Sequence, residues 1–388
     1  MTATFAPAPS ATSTAEVRDR VREAISRRRA LRVVGGGSWL DANRPVRAEA
    51  TLVTRGLSGI VEYEPGDLTI SVRSGTTLDE VAQTTAAHGQ WLTLDPHGDS
   101  ARATIGATIA TASFGPLAHH FGAPRDVTLG VEFVTGAGDV VRGGGRVVKN
   151  VAGFDLTRLL TGSWGSLGVI TEATLRLRAI PAVQVTLAIS LGGAATAIEG
   201  ARASLRALPF VPMAAELVDD TLGRSLSLGG ATLLVRLGGN EEAVAAQREQ
   251  LAGLGATHDV EQEVWRRLHS AEPRHATVLR ISRLPSLFAT TWREARRFVE
   301  QWPNGYCHGD PGRGIARIVL PLSADVTDAA VRAVLDAPFD GGRVYERLPA
   351  NLWGSLAPTA MHGRLERDVK AKFDPHSLLN PGILGESQ

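Results

Sequence analysis

Apolar residues recur at helical spacing between residues 15 and 29, where Val17, Val21 and Ile25 stand amid Arg, Asp and Glu. One amphipathic helix is predicted there. Residues 31–34 form a short apolar strand that runs into Gly35-Gly36-Gly37-Ser38. Residues 51–54 and 68–72 predict further strands, and Thr76 is placed to cap a helix from Leu78 to about residue 88. Between Gly98 and Gly168 the pattern changes, and short apolar runs alternate with glycine and other small residues. Within that stretch residues 127–135 predict a buried strand, 136–139 a hairpin turn and 140–142 its return. Residues 155–160 predict a short helix, and 169–177 a strand with one buried face.

Beyond Ile180-Pro181 the glycines thin out. Strands are predicted at 183–190, 214–218, 231–237, 277–281, 315–320 and 343–346, with helices at 194–208, 241–253, 285–298 and 326–335. The order strand, helix, strand, strand, helix, strand points to an α+β sandwich. No internal repeat is convincing in the sequence, although two α+β halves fit this region. A charged helix over 365–373 ends at Asp374-Pro375. The expected organisation is a disordered lead-in (1–14), a glycine-rich domain (15–181), an α+β cap (182–346) and a C-terminal segment (347–388) that packs back on the first domain.

Composition narrows the function classes. The chain has 388 residues, 43% of them hydrophobic, which suits two domains. With 41 basic and 40 acidic residues the net charge is +1, so neither nucleic acid nor an anionic membrane is an expected partner. The single cysteine, Cys307, excludes an internal disulfide and a metal cluster held by cysteines of this chain alone, and is read as a packing residue. No apolar window approaches the roughly 18–20 residues of a membrane span, and the N-terminus lacks the pattern of a signal peptide. A cytoplasmic location is expected, with any attachment to the inner face of the membrane made through partners.

Three glycine-rich stretches carry the candidate chemistry. In Val34-Gly35-Gly36-Gly37-Ser38 a strand meets residues without side chains, so backbone N–H groups can approach an anion such as a pyrophosphate. The spacing is not that of the G-x-G-x-x-G dinucleotide fingerprint. The second stretch joins Asp95-Pro96-His97-Gly98-Asp99 to residues 104–111 and Gly115, where small residues forgo apolar burial as if to lie along a flat ligand. The third runs from Lys149-Asn150-Val151-Ala152-Gly153 to Gly165-Ser166-Leu167-Gly168-Val169-Ile170.

The run Gly145-Arg146-Val147-Val148-Lys149-Asn150-Val151-Ala152-Gly153-Phe154-Asp155-Leu156, with its continuation to Pro181 and the tail motif Asp374-Pro375 to Asn380-Pro381-Gly382, resembles a known family. It is the FAD-binding superfamily of vanillyl-alcohol oxidase and p-cresol methylhydroxylase (PCMH), and within it the FAD-binding E subunit of bacterial glycolate oxidase. The resemblance implies an α+β chain: a two-subdomain PCMH-type FAD-binding domain, an α+β sandwich cap, and a tail that returns to the FAD domain. It also implies FAD as cofactor. Val34, Gly35, Gly36, Gly37, Ser38 and Trp39 would form the pyrophosphate loop. Pro96, Gly98, Thr104, Ile105, Gly106, Ala107, Ala110, Thr111 and Gly115 would follow the diphosphate, ribityl and ring. Gly153, Gly168, Val169 and Ile170 would lie beside the adenine half or the flavin edge, and Asn380 would return to the ring. Many relatives bond the flavin covalently through a histidine where this chain has Ser38-Trp39, so a dissociable FAD is expected.

The resemblance also implies what has been lost. Catalytic relatives carry a metal-binding histidine pair in a segment like G-H-x-G-D-G-N-x-H. Here it reads His308-Gly309-Asp310-Pro311-Gly312-Arg313-Gly314-Ile315, with one histidine. A single imidazole cannot hold a divalent ion, so no metal site is expected. His269 and His275 read as solvated or core residues, and Arg280 and Arg283 as surface ion-pair partners. Three readings follow. The chain is a flavin-carrying subunit whose substrate chemistry lies mainly on a homologous FAD-containing sister subunit, with electrons leaving toward an iron–sulfur subunit. Alternatively it is a stand-alone dehydrogenase of a small 2-hydroxy acid such as glycolate, or a non-catalytic assembly subunit.

Overall fold

Strand β1 (Leu31–Val34) runs parallel to β2 (Ala50–Val53). The tail lies along the other side of β1, where the Leu31 N–H donates to the Leu378 carbonyl at 2.7 Å and the Asn380 N–H to the Leu31 carbonyl at 2.9 Å. The structure is a computed structural model and describes residues 9–145, 155–191, 195–323, 327–336, 342–357 and 363–385. Helix α1 (Thr14–Arg27) buries Val17 and Val21 of the predicted stripe, with Ala24 buried as well and the predicted Ile25 only partly buried beside it. Ser13 caps it by accepting the Glu16 N–H. Of the lead-in expected to be disordered, the described residues 9–13 are ordered. Ser10 bridges to Val53, and Ala11 is fully buried beneath α1.

A five-stranded sheet follows, in the order β3 (Ile60–Glu64), β4 (Thr69–Arg73), β8 (Gly168–Arg176), β6 (Thr128–Thr135), β7 (Val140–Gly144). The remaining strands of this region, β5 (Gln90–Trp91) and β9 (Arg178–Ala179), pair with each other. Helix α2 (Leu78–Ala86) is capped by Thr77, one residue beyond the predicted Thr76, in a capping box with Glu80. Thr76 instead holds Gly59 through its hydroxyl. Helix α3 (Ile105–Thr111) is not among the elements the sequence predicts, because Gly106 and the β-branched isoleucines and threonines offset its two alanines, and seven residues are too few to show a clear period.

At Ile180-Pro181 the chain leaves these sheets for another. The second region is one eight-stranded sheet, ordered β13 (Ala256–Val260), β10 (Val183–Ser190), β12 (Thr232–Gly239), β11 (Ala214–Val218), β15 (Tyr306–Asp310), β16 (Ile315–Pro321), β14 (Ala276–Ser282), β17 (Arg343–Arg347). Each half is strand, helix, strand, strand, helix, strand. The two orders mirror each other about the β11–β15 seam, which is paired only at Leu217–Gly309 and Val218–His308. The internal duplication that the sequence leaves open is therefore present in the topology. The main core of this region packs the helices Ala195–Ala207 and Phe288–Glu300 against the sheet, with Cys307 fully buried among them. Among the described residues no helix is long and apolar enough to cross a membrane.

Candidate functional site

The glycine turn after β1 forms one wall of a cleft with about 850 Å³ of free space counting its mouth, within the range of cofactor sites. Val34, Gly35, Gly37, Ser38 and Trp39 line it from one side. Gly37 adopts φ +75°, which a residue with a Cβ rarely does. Helix α3 forms a second wall and is split by its periodicity. Ile105 and Ile109 are fully buried in the core, while Gly106, Ala107, Ala110 and Thr111 face the cleft. Gly168, Val169 and Ile170, at the start of β8, form the third, and Asn380 closes the end.

Several predicted site residues do other work. Ile105 belongs to the core, and Thr104 is buried below the turn. Gly36 does not line the cleft; a Cβ there would lie 1.8 Å from the Arg102 carbonyl oxygen. Gly115 seats against Asp95, whose carbonyl oxygen a Cβ would meet at 1.9 Å. Pro96 and Gly98 line a neighbouring cavity with Ser38, Trp39 and Ala107, and the Gly98 N–H donates to the His269 carbonyl of the second region at 2.8 Å. Asn380 spends its amide on protein: Oδ1 accepts the Val33 N–H at 2.8 Å and Nδ2 donates to the Trp164 carbonyl at 2.7 Å. Its part is to fix two walls, not to reach a ring with a free polar group. Gly153 lies outside the described residues.

The sequence reading missed Arg32, Arg44, Thr54, Trp164 and Gly165 as lining residues. Trp164 holds a left-handed φ of +54°, a strained state for a bulky residue. Its N–H donates to the Ala110 carbonyl at 2.7 Å, and its ring meets the edge of Trp39 at 5.1 Å. Arg44 is sandwiched between the Trp164 ring at 4.0 Å and the Trp353 ring at 4.5 Å. Burial lowers its pKa to about 10. The Gly162-Ser163-Trp164-Gly165 turn was the available signal for this side.

The cleft fits a dinucleotide cofactor. Its walls are backbone-rich, and Arg32, which lines it, has a buried Nε without a hydrogen-bond partner among the described residues. An orphaned polar atom of this kind wants a ligand or water.

Trp39, Arg44, Thr111 and Trp164 also line a second, wider chamber between the two regions. Arg280, Arg313 and Arg317 face it from the second region, and Phe114 from the first. Arg280, read from sequence as a surface residue, is mostly buried and pairs with Glu346 at 2.8 Å. Arg283 pairs with Glu294 at 2.8 Å and is also largely buried. Arg317 bridges Glu272 and Glu346, each at 2.6 Å. The Arg313 guanidinium stands 4.5 Å over the Phe114 ring and makes no ion pair among the described residues, while its backbone N–H donates to Asp310 Oδ1 at 3.0 Å. Burial and the charge of Arg280 work against its own charge and lower its pKa, with Asp310 opposing them. A half-buried, unpaired guanidinium of this kind is suited to a carboxylate.

At the back of the chamber His308 Nδ1 meets Glu216 Oε1 at 2.6 Å, and His97 packs at 4.9 Å from the His308 ring. Burial pushes the His97 imidazole well below its ordinary value, and the Arg317 charge adds to the effect. Burial would raise the Glu272 carboxyl, but Arg317 and His308 hold it well below the usual carboxylate range. His269, read as a solvated or core residue, pairs with Asp95 across the two regions at 3.1 Å. His119 pairs with Asp310 in the opposite sense at 2.8 Å.

Residues 9–144 match the family model of the FAD binding domain. The chain is 34% identical to the glycolate oxidase subunit GlcE of Escherichia coli (strain K12), over 94% of this chain and 95% of that relative. It belongs to the GlcE family. It is also 34% identical to the glycolate oxidase subunit GlcD of Bacillus subtilis (strain 168), over 37% of this chain and 30% of that one. Among solved structures it resembles p-cresol methylhydroxylase, with a TM-score of 0.75 and 15% identity over 97% of this chain and 88% of that one. That likeness shows the PCMH-type fold. As a GlcE-family flavoprotein the chain is an FAD-dependent oxidoreductase, and the backbone-walled cleft is where its residues fit the cofactor.

Proposed function

We propose that this GlcE-family chain is the FAD-carrying subunit of a glycolate oxidase-type complex, and that the chamber beside the cleft takes a short 2-hydroxy acid, glycolate first among them. The observation that carries the reading is the shared wall: Trp39, Arg44, Thr111 and Trp164 border both spaces, so a cofactor held in the cleft would adjoin the chamber that the arginines line. Bound FAD supplies a two-electron acceptor. Arg313, with Arg280 beside it, receives the substrate carboxylate and fixes which face of C2 is presented. Phe114 and Trp164 exclude water from that face. Oxidation to glyoxylate would pass a hydride from C2 to the bound two-electron acceptor and release the hydroxyl proton to solvent, and the electrons would leave toward an iron–sulfur subunit, since one cysteine cannot hold a cluster here. The flavin is held without a covalent bond, because Ser38 and Trp39 offer no imidazole to the ring. The complex works in the cytoplasm, touching a membrane only through partners.

The test is purification of the chain alone and with its sister subunits, followed by flavin and iron counts and anaerobic addition of glycolate. The reading expects yellow protein, flavin released into the supernatant by acid, bleaching of the flavin by glycolate in the complex, and iron only in the complex. Colourless protein, or flavin retained in the acid pellet, overturns the corresponding part.

A further inference from the structure

The sequence leaves His308 without companions, and the fold supplies them. His97 comes from the loop after β5, Glu272 from the loop before β14, and His308 from β15. One ligand atom of each lies within 4.8 Å of the other two. We infer that His97, Glu272 and His308 form a binding site for one divalent transition-metal ion, built across the two regions of the chain.

Four observations carry this. First, His97 Nδ1 and Glu272 Oε2 are buried and have no hydrogen-bond partner among the described residues. Buried polar atoms are rarely left so, and each one calls for an explanation. Second, the bond from His308 Nδ1 to Glu216 Oε1 at 2.6 Å leaves Nε2 turned toward Glu272, whose Oε1 is 3.9 Å away. A carboxylate on the far nitrogen is the usual outer support of a metal-binding imidazole. Third, two imidazoles and one carboxylate form the ligand set preferred by Zn²⁺, Mn²⁺, Fe²⁺ and Co²⁺ over Mg²⁺ or Ca²⁺. Around one ion at about 2.1 Å, ligand atoms sit roughly 3–4 Å apart, so a spread of 4.8 Å closes with a small rotation of Glu272. Fourth, His97 and Glu272 line the chamber, so the open coordination positions face the space where a substrate hydroxyl would lie.

The surroundings set the strength of the site. Arg317 occupies Glu272 Oε1, and Arg347 stands 3.7 Å from Oε2. Both repel a cation, while Glu216 and Glu346 offset them. This is not the histidine pair of the cap segment, whose second position is Ile315 here. The second imidazole comes from the flavin-binding region instead. The site stands independently of the substrate reading.

Untagged holoprotein, dialysed against EDTA, would be titrated with Zn²⁺ and with Co²⁺. One ion per chain is expected, with Co²⁺ showing the visible bands of a nitrogen–oxygen site. His97→Asn and Glu272→Gln should each weaken Zn²⁺ binding at least tenfold. Glu216→Gln should weaken it about 10- to 100-fold, as loss of an outer partner does. His269→Asn, which touches the ring of His97 but supplies no ligand, should bind like wild type. The flavin spectrum reports whether each variant is folded. Absence of stoichiometric binding to the wild-type holoprotein overturns the site, whatever the variants do. Unchanged affinity in a folded His97→Asn overturns it as well.

Discussion

Single residues in this protein often serve a neighbour rather than a ligand. In the sequence Gly36, Gly106, Gly115 and Gly168 look like backbone laid open to a cofactor. Yet an added Cβ on each would strike protein first: the Arg102 carbonyl, Ser74, the Asp95 carbonyl and the Phe133 ring. Their smallness draws the walls together, and the cleft is a consequence. Gly36→Ala is therefore expected to displace the Arg102 backbone and lower flavin occupancy several-fold, readable as the ratio of flavin to protein absorbance. Arg313 is the opposite case, a guanidinium that lies over the Phe114 ring with no ion-pair partner among the described residues. Arg313→Met should leave flavin content unchanged and raise the glycolate concentration for half-maximal flavin reduction about tenfold or more, the usual cost of losing a charge-assisted bond. An unchanged half-saturation would remove Arg313 from the carboxylate site.

At the scale of elements, packing decided which weak local patterns became structure. Helix α3 has only Ala107 and Ala110 as strong helix formers against a glycine and four β-branched residues, but Ile105 and Ile109 fall one turn apart and drop into the core beside Ile70 and Leu175. The buried pair explains both why it is helical and why its small residues face the cleft. Helix α1 is locked down through Glu132 on β6. Glu132 accepts Thr14 Oγ1 at 2.7 Å, Thr171 Oγ1 at 2.9 Å and Arg142 Nε at 2.8 Å. Burial raises its carboxyl, but these hydrogen bonds outweigh burial and hold it below the ordinary value. A folded pKa below the unfolded one gives stability that is present above about pH 4.3 and lost as pH falls through the folded value. Glu132→Gln should cost about 1–2 kcal/mol at pH 7, and the cost should shrink as pH drops below about 4. Urea denaturation at both pH values checks this.

At the scale of the whole molecule, one arginine ties three parts together. Arg44, in the first region, donates to the Tyr345 carbonyl of the second at 3.0 Å and to the Ile383 carbonyl of the tail at 3.1 Å, between two tryptophan faces. Arg44→Ala leaves those acceptors unpaired and removes two cation–π contacts, a loss of about 2–4 kcal/mol. A lower thermal midpoint is expected, together with an altered flavin spectrum, since Arg44 borders the cleft. Arg44→Lys should recover only part, because an ammonium cannot reproduce the planar fork. The two crossed pairs, His119–Asp310 and His269–Asp95, tie the same two regions together in opposite senses.

Most strands, the amphipathic first helix and the presence of FAD are legible in the sequence by itself, because apolar periodicity and glycine-rich turns are local properties of the chain. The motif at residues 145–156 carries much of the family resemblance that implies the cofactor, although most of it lies outside the described residues. The mirrored halves of the second region are not legible in that way. Strand pairing and seam position depend on contacts between distant segments, and the two halves share their order of elements without an obvious shared sequence. The chamber and the His97–Glu272–His308 cluster are hidden for the same reason. Each member of the cluster looks like an isolated polar residue in its own loop or strand. Only the closing of the second region onto the first brings His97 against His308, and burial then gives those lone pairs a chemical consequence that sequence spacing could not.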